Sequence, residues 1–188
     1  MDDKHAARSD MREVLPEAMN YSVTEILRDG TALLIRAIRP DDKERLLQHF
    51  QGLSQQSVYY RFFGFKRSLN DSDLSRLTEI DFVNHVGLVA SDSGHPERFL
   101  GVGRFIRTEV RSPAEVAFAV LDEYQGHGIG TLLLRHLARI AQRSGIRQFV
   151  ANVLGSNHQM LEVFTNSGFS IHNSHEGGVV HIVLDISK

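Results

Sequence analysis

The run "FAVLDEYQGHGIGTLLLRHLARIAQRSG", residues 118–145, constrains the fold more than any other part of the chain. It opens with apolar residues of strand character and passes through three glycines on alternate positions, Gly126, Gly128 and Gly130. A helix pattern follows from about Gly128 to Ser144. Ile129, Leu133, Leu137 and Ile140 fall on one stripe, Arg135, Arg139 and Arg143 face away from it, and Gly145 stands where a helix would stop. A strand that hands over to a helix through glycines makes an anion site. The first helical N–H groups have no intrahelical partner, the helix dipole adds partial positive charge, and no Cβ blocks the approach.

The flanking sequence predicts one α/β domain with a mixed central β-sheet flanked by helices. "YSVTEILRDGTALLIRAIR" reads as two extended runs about an Asp29-Gly30 turn. Pro40-Asp41-Asp42 opens a helix with Leu46, Leu47 and Phe50 on its apolar face. Ser54 caps a short helix carrying Val58, Tyr59, Phe62 and Phe63, and "NDSDLSRLTEI" starts a third with Leu74, Leu77 and Ile80 at helical spacing. "HVGLVAS" and "FLGVGRFIRT" read as strands around a loop from Asp92 to Arg98, and Ala114–Leu121 as the next strand. "RQFVANVL" is another strand. Asn157 caps a helix with Met160, Leu161 and Phe164 inside, and "FSIHN" and "VVHIVLDI" form a closing hairpin about Gly177-Gly178. Residues 1–20 read as a polar tail, with a short helix near Met11 to Met19, and residues 21–188 as the folded domain.

Composition removes several function classes. A chain of 188 residues, 41% of them hydrophobic, suits one packed domain. A formal net charge of −2 gives no global attraction to nucleic acid or to an anionic membrane, and neither is expected as a partner. The absence of cysteine excludes disulfides, a thiol nucleophile and a thiolate metal site, and it suits a reducing cytoplasm. No apolar run approaches the roughly 20 residues of a membrane span, and the N-terminal residues lack the apolar core of a signal peptide.

Two common phosphate loops do not fit. A P-loop needs Lys-Ser/Thr after its last glycine, where this chain has Thr131-Leu132. The dinucleotide fingerprint needs G-x-G-x-x-G and an acid about 20 residues on; this chain has G-x-G-x-G, and "RQFVANV" near residue 150 contains no acid. Gln125-Gly126-His127-Gly128-Ile129-Gly130 is Q-x-x-G-x-G, and "NHQMLEVFTNSGF" runs from an asparagine to Gly-Phe in a later helix. With both segments in this order, residues 30 to 185 resemble a GNAT-family N-acetyltransferase. "IRAIRPDDKERLLQHFQGLSQQSVYYRFF", "EIDFVNHVGLVA" and "AEVAFAVLDEYQGHGIG" are similar, more narrowly, to the catalytic domain of bacterial protein lysine acetyltransferases that modify acyl-CoA synthetases.

The resemblance implies a single GNAT-type domain that uses acetyl-CoA as co-substrate, without a metal, to acetylate an amine. It implies main-chain contacts from Phe118, Ala119 and Val120 to the pantetheine arm. It also implies a pyrophosphate loop at Gln125, Gly126, His127, Gly128, Ile129, Gly130 and Thr131, and a further pantetheine contact at Asn157. The catalytic base it implies is Glu115. Strand alternation puts Glu115 on one face with Ala117, Ala119 and Leu121, and it is the only ionisable side chain in "AEVAFAVL". A lysine ammonium with a pKa near 10.4 costs about 4–5 kcal/mol to deprotonate at pH 7, so a base or a desolvating site has work to do.

One departure is Phe164, where many members of the family carry a tyrosine that protonates the leaving thiolate. His85 is a second candidate for proton transfer, with a structural role preferred. His172, His175 and His181 read as surface residues of the last hairpin rather than metal ligands. The cluster Tyr59, Tyr60, Phe62, Phe63 and Phe65 reads as core and as part of the wall of an acceptor cleft, with Arg61 and Arg67 beside it. The leading expectation is acetylation of a protein lysine, with an acyl-CoA synthetase among the candidate partners. The alternatives are a small-amine acetyltransferase and a non-catalytic acyl-CoA-binding sensor.

Overall fold

The computed structural model describes residues 17–109 and 113–187. Eight strands form one sheet: β1 (Ser22–Ile26), β2 (Ala32–Ala37), β3 (His85–Asp92), β4 (His95–Ile106), β5 (Ala114–Val120), β6 (Gln148–Leu154), β7 (Ser170–Glu176) and β8 (Val179–Asp185). Their order across the sheet is β1-β2-β3-β4-β5-β6-β8-β7. Every neighbouring pair is antiparallel except β5 and β6, which are parallel. That exception follows from the connection: α4 (Ile129–Arg143) carries the chain back across one face, as a parallel pair requires. The other α-helices of two turns or more are α1 (Lys43–Gly52), α2 (Gln55–Phe62), α3 (Asp71–Thr78) and α5 (His158–Thr165).

The mixed sheet flanked by helices agrees with the sequence reading. Ser54, Asn70 and Asn157 cap α2, α3 and α5, each side chain accepting a bond from a main-chain N–H three residues on. The closing hairpin turns at Gly177 and Gly178, with φ of 56° and 82°, a backbone that favours glycine at both positions. The expected loop from Asp92 to Arg98 is mostly strand. β4 begins at His95, and only Ser93 and Gly94 turn the chain. Register shifts at Ala90/Ser91 and Ser91/Asp92 absorb the irregular pairing beside Pro96. The short helix expected near residues 11–19 falls largely outside the described residues; within them, residues 17–19 are helical and Ala18 is buried in the main core.

The two faces of the sheet carry different layers. α4 lies across β3, β4 and β5, and its residues Ile129, Leu133, Leu137 and Ile140 are almost wholly buried. Each contributes roughly 1.5–3 kcal/mol of burial, and Leu137→Ala would cost about 2–5 kcal/mol. Gly101 and Gly103 bring β4 close to this helix. A Cβ at Gly101 would meet Ile129 at 2.9 Å, and one at Gly103 would meet Leu133 Cβ at 3.3 Å and the Phe118 ring of β5 at 2.8 Å.

On the opposite face α1, α2 and α3 enclose a second core around Ile38, Phe50, Val89 and Phe99. That face also holds a buried ion pair. Arg36 of β2 grips Asp42, at the start of α1, through NH1 (2.7 Å) and NH2 (2.8 Å), and Asp42 is fully buried.

Candidate functional site

β5 and β6 pair at only two positions, Ala114 with Phe149 and Glu115 with Val150. Beyond them the strands part, and the wedge between them opens into a cavity of about 1290 Å³. Leu121 donates its N–H to the Leu100 carbonyl of β4 at 2.9 Å. Strand alternation therefore turns the main chain of Phe118 and Val120 away from β4, toward the wedge, and that of Ala119 toward β4. The Val120 carbonyl accepts a bond from Gln125 Nε2 (3.0 Å), which also donates to Ser57 Oγ (3.2 Å). The Gln125 side chain thus braces the glycine turn.

That turn sits at the wide end of the wedge. Gly126 and Gly128 have φ of 78° and 90°, and a Cβ at either would meet nothing within 4 Å. Their requirement is left-handed backbone. Gly128 is the N-cap of α4, and the first helical bond runs from Leu132 N to Gly128 O (3.0 Å), which leaves the N–H groups of Ile129, Gly130 and Thr131 without an intrahelical acceptor. Gly130 serves packing as well: a Cβ there would lie 2.9 Å from Val163 Cγ2, so its absence lets α4 approach α5. The Ile129 side chain is buried in the core, Thr131 lines the cavity, and His127 is exposed with Nδ1 3.0 Å from the Gln125 carbonyl oxygen. Asn157 lines the cavity and caps α5, its Oδ1 accepting from Met160 N at 3.1 Å.

Helix α2 crosses the wedge. Before it, Ser54 donates to Asp122 through its N–H (2.9 Å) and its hydroxyl (2.7 Å), and Ser57 Oγ adds a bond to Asp122 at 2.8 Å. Near its far end Tyr60 donates to the Ser156 carbonyl at 3.2 Å. The helix is therefore tied to the segment after β5 and to the segment after β6. Burial alone would raise the Asp122 carboxyl, but the bonds from Ser54 and Ser57 outweigh it and hold it below the usual range. Asp122 and Ser57 carry no local signal because they meet each other 65 residues apart in the chain, and only the Ser54 cap does; Tyr60, expected in the cleft wall, is held there by Ser156, 96 residues on.

Glu115 stands at the narrow end, exposed, on the face that carries Ala117 and Ala119. Arg61, at the C-terminal end of α2, lines the same cavity. Burial lowers its pKa while the Glu115 carboxylate raises it, so the two charges feel each other. His85 does not line the cavity. Its Nε2 lies 3.0 Å from NH1 of the buried Arg104, and burial together with the Arg104 charge holds its pKa at about 4. It is a neutral acceptor for Arg104, in keeping with a structural role. Phe164 is buried and meets the Phe118 ring edge-on at 6.1 Å, so no proton donor stands there. His172, His175 and His181 lie on β7 and β8, and among the described residues no group of His, Asp and Glu could hold a metal ion.

The arrangement can hold an anionic group at the helix N-terminus, lay a linear arm along β5 and present a carboxylate at the arm's far end. Comparison with known proteins agrees with such a site. A profile of the acetyltransferase (GNAT) family matches residues 54–169. Acetyltransferase PA5475 of Pseudomonas aeruginosa is 32% identical over 146 residues, which cover 77% of this chain and 78% of that protein. Acetyltransferase Pat of Mycolicibacterium smegmatis is 31% identical over 161 residues, 85% of this chain and 47% of that protein, so the chain spans about half its length. The crystal structure of the GNAT domain of PAT from S. lividans superposes with a TM-score of 0.79 at 39% identity, over 87% of this chain and 96% of that domain.

Proposed function

This chain belongs to the acetyltransferase (GNAT) family, and we propose that it moves an acetyl group from acetyl-CoA to the side-chain amine of a protein lysine. The observation that carries this reading is the wedge between β5 and β6, which runs from the glycine turn to Glu115. Five strand residues, Val116–Val120, run from Glu115 toward that turn, about 17 Å, a span suited to an extended pantetheine arm.

In this reading the free N–H groups at the start of α4 and the turn Gln125–Thr131 hold the pyrophosphate. The outward main chain of Phe118 and Val120, with Ala119 between them, takes the pantetheine amides as an added strand would. Asn157 offers its remaining amide hydrogens to the same arm while it caps α5. When bound, acetyl-CoA supplies a thioester carbon to which the amine nitrogen bonds as the carbon–sulfur bond breaks, and CoA leaves as the thiolate. Glu115 removes the amine proton, directly or through a water. With Phe164 unable to donate, solvent protonates the thiolate.

A protein acceptor is supported by the resemblance of residues 35–63 and 79–90 to protein lysine acetyltransferases. It is also supported by the aromatic surface at the cleft mouth. Phe63 lines the cavity, and beside it Tyr59 and Phe65 pair at 5.4 Å with Phe65 86% exposed. An acyl-CoA synthetase is the candidate partner, and the absence of cysteine suits the cytoplasm.

The test is thiol release from acetyl-CoA with a lysine peptide, with a panel of small amines and with cell extract, followed by mass-spectrometric mapping of acetyl sites. Lysine sites on protein support the reading. Turnover with small amines alone replaces it with the small-amine reading, and binding without turnover replaces it with a sensor.

A further inference from the structure

Asn152 carries a carboxamide into the wedge that the fold itself does not require. It lies two residues beyond Val150 on β6, so it shares the sheet face of Glu115, and it lines the same cavity. Its neighbours Ala151 and Val153 point into the core, while Asn152 is exposed. On β8, His181 stands directly opposite it, and His181 Nδ1 lies 2.6 Å from Asn152 Oδ1. Oδ1 can only accept, so Nδ1 carries the proton. That bond fixes the carboxamide and leaves a second Oδ1 lone pair and both Nδ2 hydrogens uncommitted.

The opposite wall is small. Ala117 and Ala119 are the face-mates of Glu115 on β5, and β5 and β6 have already parted at this level. Glu115 and Asn152 therefore face one cavity from its two strands. A neutral primary amine has two N–H groups and one lone pair. With two acceptors on either side of it, the lone pair points along the remaining direction, where an acyl carbon must lie.

We infer that Asn152 is an acceptor-binding residue for primary amines and that His181 is its positioning residue. The inference rests on the reading of Glu115 as the base: Glu115 takes one amine hydrogen and Asn152 Oδ1 accepts a hydrogen bond from the other. A secondary amine, with a single N–H, cannot satisfy both groups, so the pair selects lysine-like acceptors.

The test compares two stable analogues by titration calorimetry, CoA carrying a 2-aminoethyl group on sulfur and CoA carrying an ethyl group. Wild type binds the amine analogue more tightly. Asn152→Ala and His181→Ala shrink that preference by about fivefold or more, the worth of one net hydrogen bond, and leave the ethyl analogue unchanged. Asn152→Asp restores the preference, because a carboxylate also accepts. An unaltered preference in Asn152→Ala, equal loss of both analogues, or no preference in wild type overturns the inference. Failure of the base assignment is read separately: Glu115→Gln with normal turnover removes the base and leaves the analogue preference to judge Asn152.

Discussion

Glu115 faces Val150 in the last parallel pair that β5 makes with β6. A carboxylate thus stands where the sheet begins to open, at the one parallel step of an otherwise antiparallel sheet. The glycine turn closes the other end of the same strand. Because a single strand sets the distance between anion site and carboxylate, changes at one end should leave the other intact.

Gly128→Glu tests the anion end. The substitution adds a negative charge among free N–H groups and puts a side chain at φ of 90°, a local backbone strain at the turn, although no atom lies within 4 Å of its Cβ. Acetyl-CoA affinity is expected to fall at least tenfold, about 1.4 kcal/mol, with the fold retained. Calorimetric titration with circular dichroism checks both, and unchanged affinity would sink the pyrophosphate assignment.

The local signals were legible and the long-range ones were not. Ser54, Asn70 and Asn157 announce their helices through their own capping chemistry, and Gly177-Gly178 announces its turn. Pro96 lies within the expected loop from Asp92 to Arg98, yet β4 runs through it because the register shifts beside it relax the ladder that proline would break. Gly130 looks like its two neighbours in sequence, but only the approach of Val163 shows its second role. Glu115 was identifiable as the lone ionisable residue of its strand. The wedge that makes it useful exists only because β6 pairs with it for two residues and then departs, and no pattern within either strand records that.

Asp42→Asn tests the buried pair on the helical face. Asp42 is fully buried, and Arg36, itself buried, reaches it with two nitrogens. The substitution leaves an uncompensated guanidinium inside the protein, which costs about 3–5 kcal/mol. Urea denaturation should show a midpoint shift of that order with an unchanged slope. A loss below about 1 kcal/mol, the range of exposed pairs, would mean that the pair is far better solvated than its burial implies.

Acid should weaken the fold from about pH 6.5, well above the pH at which the carboxylates are half protonated. Burial and the Arg104 charge hold His85 at about 4, below its ordinary 6.5, and burial also lowers His49 and His136. In the folded state these rings resist protonation, so the unfolded chain binds more protons as pH drops below about 6.5. Their contribution is complete above that pH and is lost as pH falls toward 4. Melting temperature should decline between pH 6.5 and 4.5, by about 2–4 °C for each kcal/mol lost. His85→Gln, which keeps an acceptor for Arg104 but cannot titrate, should flatten the decline. A profile that is flat in wild type, or equally steep in His85→Gln, would remove His85 as a cause.

Glu115→Gln tests the carboxylate end. The amide keeps the shape and the hydrogen-bonding capacity but cannot accept a proton. General-base catalysis is typically worth 10²–10⁴-fold, so kcat should fall by about 3–5 kcal/mol in barrier height. Acetyl-CoA affinity should hardly change, because the glycine turn lies at the other end of β5. The defect should also shrink as pH rises toward the pKa of the free amine, near 10.4 for lysine, since more acceptor then arrives deprotonated and the base has less to supply. A pH–rate profile of wild type and variant with one lysine acceptor, together with the acetyl-CoA dissociation constant, checks all three. If the variant keeps wild-type kcat at neutral pH while chemistry is rate-limiting, proton removal does not pass through Glu115. Desolvation of the amine beneath α2 then becomes the better account, because His85 is bound to Arg104 and lies off the cavity.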